Sequence, residues 1–230
     1  FGHATAVGID RWIDWRVGHH GWTMNDAARA THDAGGLFFV AHPWSIGSPS
    51  CTGCRWLYHD VDMSLADGSE VWSNRWPREL SHNPCNLRFW YEQNAAGHPL
   101  TAIAAADFHA PQSWTHEIPV THVFADELTV PAILDGLRRR RVMVSVGPWL
   151  ELQPTASRWV LLENVLAGAP TRTNGVASWR DAPPGARLRL RRAGELLEET
   201  QVAEQGRLAF AAPAGPVHAE LWSAAGDLLA

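Results

Sequence analysis

The chain has 230 residues, a 46% apolar share and a formal net charge of −5, which fits one large globular domain or one domain with a small appendage. Without an excess of basic residues it lacks the charge pattern of a nucleic-acid-binding protein. Every basic residue is Arg, which excludes a catalytic lysine, and no apolar run approaches the ~18 residues that span a bilayer. No signal peptide is visible, but a start at Phe1 predicts a missing upstream segment, so both a cytoplasmic and a secreted location stay open. The sequence does not indicate the oligomeric state.

The first predicted helix begins at Thr23 or Asn25, residue types that cap helix N-termini. The Gly35-Gly36 pair ends it. "LFFVA" follows, and its aromatic and β-branched content predicts a short buried strand. His42 stands directly after this strand.

A second unit of the same kind lies farther along the chain. "DGSEVWSN" predicts a short strand that contains Glu70, and a helix is expected through about Ala96. A strand over 100–106 then leads to Asp107 and His109. Because alternate residues of a strand share a face, these two side chains are expected to project together. A carboxylate beside an imidazole is typical of a metal site or an acid–base pair.

A helix followed by a short apolar strand is predicted a third time, with the helix ending at about Arg140 and the strand over 142–146. Helices alternating with short apolar strands predict parallel strands with crossover helices, covered on both faces. Polar residues at the ends of such strands are typical of a (β/α) barrel site. We therefore expect an α/β domain over 1–150.

The composition changes after about residue 150. The region 151–230 is rich in Gly, Pro and Ala, and "ARLRLRR" and "VHAELW" alternate strictly. This pattern predicts a small antiparallel β unit. The region has one His and no predicted carboxylate–histidine cluster, so an accessory, structural role is expected.

The candidate site collects the polar residues at strand ends. It comprises three histidines and two carboxylates from separate strands: His3, His42, Glu70, Asp107 and His109. Such a set can bind one or two divalent ions, which activate water and polarise an ester oxygen. Ligands of these types suit Zn, Mn and Fe alike.

Four segments in this order, "GHATAVG", "FFVAHPW", "GSEVWSN" and "AAADFHAP", followed by "VMVSVGPWLEL", resemble the PHP (polymerase and histidinol phosphatase) superfamily. Within it they are most similar to the CehA/McbA type of metallohydrolase. The resemblance extends over most of the chain, and "RLRLRRAGELLEET" and "AELWSAAGDLLA" resemble the C-terminal β extension of that branch.

The resemblance implies a distorted, TIM-like (β/α)7 barrel with two or three divalent metal ions. It places His3, His42, Asp107 and His109 on metal ligands, and Glu70 either on a ligand or on a residue that supports the site from behind. The family begins with an H-x-H strand and a further acidic ligand, which are absent here. The chain is therefore expected to be a fragment without the first barrel strands.

The expected function is metal-dependent hydrolysis of a small-molecule phosphoester, or carboxyl or carbamate ester, by a metal-bound hydroxide, with Asp107 or a nearby His such as His109 handling the proton. Among the 13 Trp, those in loops are expected to line the substrate site, with Trp44 and Trp72 as contacts. The alternative is a non-catalytic module that binds a sugar or peptide through these loops. "CTGC" (Cys51 and Cys54) is a weak signal for zinc or a disulfide.

Overall fold

A computed structural model describes the chain over 1–46, 54–74, 76, 82–107, 118–154, 172–213 and 215–230. These residues form two compact units, one of 1–105 with 123–142 and one of 106–122 with 143–230. Three α-helices and twelve strands are present in the described part. None of these helices has the length and apolar character that a membrane crossing requires.

The helices lie close to where the sequence predicts them, and so do four of the first six strands; the strands over 4–7 and 120–123 were not predicted. The helices are α1 (Met24–Asp33), α2 (Asn83–Ala95) and α3 (Val130–Arg138). The first six strands are β1 (Ala4–Val7), β2 (Leu37–Val40), β3 (Gly68–Ser73), β4 (Thr101–Ala105), β5 (Val120–Val123) and β6 (Val142–Ser145). The other six are β7 (Trp149–Pro154), β8 (Arg172–Arg180), β9 (Arg187–Arg192), β10 (Glu195–Gln201), β11 (Gly206–Pro213) and β12 (Val217–Trp222).

The start of α1 follows from its sequence. Thr23 is the N-cap, and its hydroxyl accepts the Asp26 amide N–H at 3.1 Å. The Asp26 carboxylate in turn accepts the Thr23 amide N–H at 2.9 Å. This capping box satisfies two amides that have no partner inside the helix. The predicted helix start at Thr23 is confirmed.

The first unit is built on a four-stranded sheet in the order β1-β2-β3-β4. β2, β3 and β4 are parallel, and α2 is the crossover between β3 and β4. β1 is antiparallel to β2, with Ala4 opposite Val40 and Val7 opposite Leu37. The beginning of β1 therefore lies at the edge where the parallel strands end.

Both faces of β2 are buried, which explains why its sequence is apolar without alternation. Phe38 and Val40 belong to one cluster, with Met24 and Ala28 of α1. Leu37 and Phe39 belong to another, with Leu134 and Leu137 of α3. Because successive side chains of a strand point to opposite faces, β2 is covered by a helix on each side, as predicted.

The expectation of a TIM-like (β/α)7 barrel is wrong. In the described ranges the strands form separate sheets of four, three, three and two strands, and no barrel closes. A barrel of this type requires parallel strands joined all round by helices. Here β1 runs antiparallel, and among the described strands β5 and β6 form a separate two-stranded sheet. Local helix–strand alternation predicted the elements but carries no information on strand direction.

The second unit contains two antiparallel sheets, of order β11-β8-β7 and β10-β9-β12. The alternating "RLRLRR" forms β9, where Leu188 and Leu190 are 1% and 2% exposed. The arginines between them lie on the other face of the strand. The boundary predicted at residue 150 and the accessory role stay predictions.

That other face carries a carboxylate–histidine cluster, contrary to the expectation for this region. Glu220 is 4% exposed, and its carboxylate accepts from Arg191 Nε at 2.9 Å and Trp222 Nε1 at 2.8 Å. His218 Nε2 lies 3.2 Å from the other carboxylate oxygen. Burial raises the pKa of Glu220 to about 8 and lowers the pKa of His218 to about 3. The H-x-E spacing in "VHAELW" was the signal for this cluster, because its His and Glu share a strand face.

Above pH 8, where Glu220 is ionised, replacing Arg191 by Gln is expected to destabilise the protein by about 3 kcal/mol, because a buried carboxylate loses its cationic partner. The matched change Arg192→Gln removes only the pair with Glu195, whose side chain is 66% exposed, and is expected to cost less than about 1 kcal/mol. Urea unfolding of both variants measures the difference.

The effect of Arg191→Gln also has a predicted pH dependence. The native pKa of Glu220 is already raised from 4.5 to about 8, so the native state binds this proton more tightly than the unfolded state and stability falls as pH rises across that window. Without Arg191 that pKa rises further, and the stability deficit grows above pH 8. A deficit that shrinks above pH 8, or equal losses in the two variants, would contradict this account.

Candidate functional site

The candidate site begins with a contact between two histidines that are distant in sequence. His3 precedes β1, and His42 follows β2 by two positions. The antiparallel pairing of these strands brings the two imidazoles together, with ring centroids 4.7 Å apart in an edge-to-face arrangement. His3 is exposed and His42 is 2% exposed. The structure therefore brings together two of the predicted ligands at the predicted edge.

A short extended segment, 54–57, holds this corner of the unit. Trp56 donates its amide N–H to Pro43 O at 3.0 Å, and Leu57 donates its amide N–H to Phe1 O at 3.3 Å. The segment thus bonds to the backbone beside both histidines. It also orients the His42 ring, whose Nδ1 lies 3.1 Å from Cys54 O.

The Cys54 carbonyl determines the tautomer of His42. A carbonyl oxygen can only accept a hydrogen bond, so Nδ1 carries the proton in this contact. In the neutral ring Nε2 then presents its lone pair. Histidines that bind metals are typically held in this way, with the other ring N–H donated to a carbonyl or carboxylate. His42 is therefore prepared to act as a ligand or a base through Nε2.

The backbone turns sharply after each of the three parallel strands. His42, Asn74 and Asp107 have φ values of 22°, 59° and 49°, which non-glycine residues seldom adopt. Each lies within two residues of the end of its strand. Unfavourable backbone conformations of this kind cluster at functional sites, where they direct side chains.

Two buried asparagines at the start of α2 hold the turns after β2 and β3 in place. Asn83 accepts the Ser73 amide N–H at 2.8 Å and donates to Ser73 O at 3.1 Å. Asn86 accepts the Trp44 amide N–H at 2.8 Å. Sequence reasoning missed both residues, although their spacing of three in "NPCN" places them on one helix face.

Glu70 lies inside β3 and is 4% exposed. The register between β3 and β4 shifts between Glu70 and Trp72, so Val71 is an extra residue at a bulge. Bulges occur often beside functional sites, where they redirect side chains. Whether Glu70 is a ligand or supports the site from behind stays a prediction.

Asp107 is an exposed residue that follows β4 by two positions and belongs to the second compact unit. His109 lies outside the described residues. Within the described ranges no three His, Cys, Asp or Glu side chains are grouped closely enough to hold a metal ion. Catalytic zinc sites ordinarily have three protein ligands, so His3 and His42 alone do not complete such a site.

The predicted aromatic contacts differ in accessibility. Trp44 is partly exposed, and the Arg55 guanidinium lies over its ring, 4.6 Å from the centroid. Trp72 is 1% exposed and packs edge-to-face against Trp76 at 5.5 Å. Their roles in substrate binding stay predictions, and in this structure Trp72 has almost no surface to offer a ligand.

The cysteines are not a cluster in the described part of the chain. Cys54 is disulfide-bonded, and Cys85 is a free thiol. Cys51 lies outside the described residues. Because its sulfur is in a disulfide, Cys54 cannot act as a thiolate ligand for zinc in this structure.

No family model and no curated protein matches the chain. Among solved structures it is similar to the crystal structure of a two-domain protein from Bacteroides vulgatus, which is described as containing a predicted PHP-like metal-dependent phosphoesterase. The TM-score is 0.47 and the sequence identity 15%, over 93% of this chain and 63% of that one. The chain thus spans less than two thirds of that protein. A similarity of this size does not assign the chain to a family, and nothing in it points to the CehA/McbA type.

We expect Asn83→Ala to destabilise the protein by about 2–3 kcal/mol, since it leaves a buried N–H and a buried C=O of Ser73 without their partner. Asn94→Ala, in the same helix, removes one part-buried bond to Trp90 O and is expected to cost about 1 kcal/mol or less. Thermal unfolding compares the two variants, and an equal loss of stability in both would show that Asn83 does not hold the end of β3.

Proposed function

We propose that the chain is a metal-dependent hydrolase of the PHP type that cleaves a small-molecule phosphoester, or a carboxyl or carbamate ester. The observation that supports this most is the His3–His42 contact, with ring centroids at 4.7 Å and the His42 Nδ1 held by Cys54 O. Two imidazoles at the edge where parallel strands end, one of them with its free nitrogen fixed, are typical of a metal or acid–base site.

The residues that would hold divalent ions are His3, His42, Glu70, Asp107 and His109. When bound, Zn, Mn or Fe would supply Lewis acidity and lower the pKa of a water molecule. His42 contributes a preformed orientation, because its ring is buried and hydrogen-bonded. His3 is exposed at the same corner and is therefore accessible to a ligand from solvent.

Hydrolysis adds water across the ester bond. The water oxygen forms a bond to phosphorus or to the acyl carbon, the bond to the leaving oxygen breaks, and the leaving oxygen receives a proton. Asp107 or a nearby imidazole would accept the water proton and return it to the leaving group. Asp107 is exposed in this structure and is therefore accessible to solvent protons.

Elemental analysis of the purified protein tests the proposal. We expect near-stoichiometric Zn, Mn or Fe, and its loss in His42→Ala and in the double variant Asp107→Ala/His109→Ala. Ester hydrolysis is expected to fall by roughly 100-fold or more in each, since removing even a residue that only supports a metal ligand typically costs about 10–100-fold. His59→Ala is the matched control, because His59 is an exposed histidine that does not belong to the candidate set.

Two outcomes would contradict the hydrolase proposal. One is metal content that is unchanged in both variants, which would place any metal elsewhere. The other is hydrolysis that chelation does not affect. Metal-independent binding of a sugar or peptide, with no hydrolysis of phosphoesters or aryl esters, would instead favour the alternative of a binding module.

A further inference from the structure

A groove of about 1420 Å³ opens in the first unit beside His3. Small side chains of β1 and α1 leave this space, among them Ala4, Ala6 and Ala27. Ligand sites commonly enclose about 300–1000 Å³. The groove is thus large enough for a ligand with an extended ring system, and it is continuous with the histidine pair because His3 belongs to both.

Exposed aromatic residues are concentrated at this groove. Trp12 and Trp15 are 67% and 76% exposed, Phe1 is 78% exposed and Leu57 45%, and all four line the groove. They make up half of the large apolar side chains that are exposed in the described part of the chain. A contiguous exposed apolar surface of this kind marks a binding site more often than scattered single residues do.

The loop that carries the two tryptophans is held in place by polar contacts. Arg16 forms a two-point ion pair with Asp14, with Nε at 2.9 Å and Nη2 at 2.8 Å from its two oxygens. Trp22 Nε1 donates to Asp14 O at 2.8 Å. The neighbouring guanidinium lowers the pKa of Asp14 to about 2. The charges of Asp14 and Arg16 therefore neutralise each other, and neither calls for a charged ligand.

Arg55 is the remaining charged residue of the groove lining. Its guanidinium lies over the Trp44 ring, 4.6 Å from the centroid. It directly follows Cys54, whose carbonyl holds His42. The groove thus has mostly apolar walls, with Arg55 at its border and the Arg55 guanidinium stacked on a tryptophan outside the lining.

We propose that this groove binds the aromatic arm of an anionic substrate, with the ring against Trp12 and Trp15 and the anionic group at Arg55. This inference rests on the proposed hydrolase function for the placement of the ester bond at His3 and His42. Arg is suited to this role because its planar guanidinium donates two parallel hydrogen bonds to a phosphonate, phosphate or carboxylate.

Isothermal titration calorimetry with three probes tests the proposal. The first probe is 1-naphthylphosphonate, which has a ring and an anion but no ester bond to cleave. Methylphosphonate has the anion alone, and 1-naphthalenemethanol has the ring alone. The variants are Trp12→Ala/Trp15→Ala and Arg55→Gln. Their matched controls are Leu128→Ala, at a side chain that is 94% exposed outside the groove, and Arg207→Gln, at an exposed arginine of the second unit.

We expect 1-naphthylphosphonate to bind most tightly, and its Kd to rise roughly tenfold in each groove variant, as loss of an aromatic contact or a charge-assisted bond predicts. The Kd of 1-naphthalenemethanol should rise in the tryptophan variant and stay unchanged in Arg55→Gln. Both controls should bind as the unaltered protein does. Absence of 1-naphthylphosphonate binding, an unchanged Kd in the tryptophan variant, or methylphosphonate binding of equal strength would each overturn the proposal.

Failure of the groove proposal can be told from failure of the hydrolase proposal. The protein could show metal-dependent hydrolysis of small esters while the groove variants lose neither probe affinity nor activity. That result would contradict the groove proposal and support the hydrolase proposal. Conversely, 1-naphthylphosphonate could bind through the tryptophans and Arg55 to a protein that hydrolyses no ester. That result would support the groove as a binding site and contradict the hydrolase proposal.

Discussion

The antiparallel pairing of β1 with β2 is the constraint on which the candidate site depends. Parallel strands deliver the residues that follow them to one edge of a sheet, whereas residues that precede a strand lie at the other edge. His3 precedes its strand, and only the reversed direction of β1 brings it to the edge where β2 ends at His42. The same pairing leaves β1 at the border of the sheet, beside the groove.

The polar residues that shape this corner act mainly through the backbone. Cys54 O holds the His42 ring, and Asn83 and Asn86 bind backbone groups of Ser73 and Trp44. Buried backbone groups need partners wherever a strand ends. Supplying those partners from α2 and the segment 54–57 fixes the turns, and the turns then fix the direction of the functional side chains.

The sequence predicted most elements of the first unit, because caps, glycine stops and apolar runs are local signals. It grouped His3 with His42 as residues at barrel-strand ends, whereas the contact between them depends on the antiparallel direction of β1. It did not predict the sheet architecture, since strand direction and order depend on tertiary packing. β1 shows this: it was expected in a parallel barrel and is antiparallel. The His218–Glu220 contact was missed for another reason. Residues two apart on a strand share a face, but this rule was applied only to Asp107 and His109.

The position of β1 has a consequence for the dynamics of the site. A four-residue strand at a sheet edge is bonded on one side only, and edge elements open at free energies below that of global unfolding. Separation of the two imidazoles therefore requires fraying of β1 together with loss of the Leu57 N–H to Phe1 O bond, and amide hydrogen exchange in both segments reports how often the site is assembled.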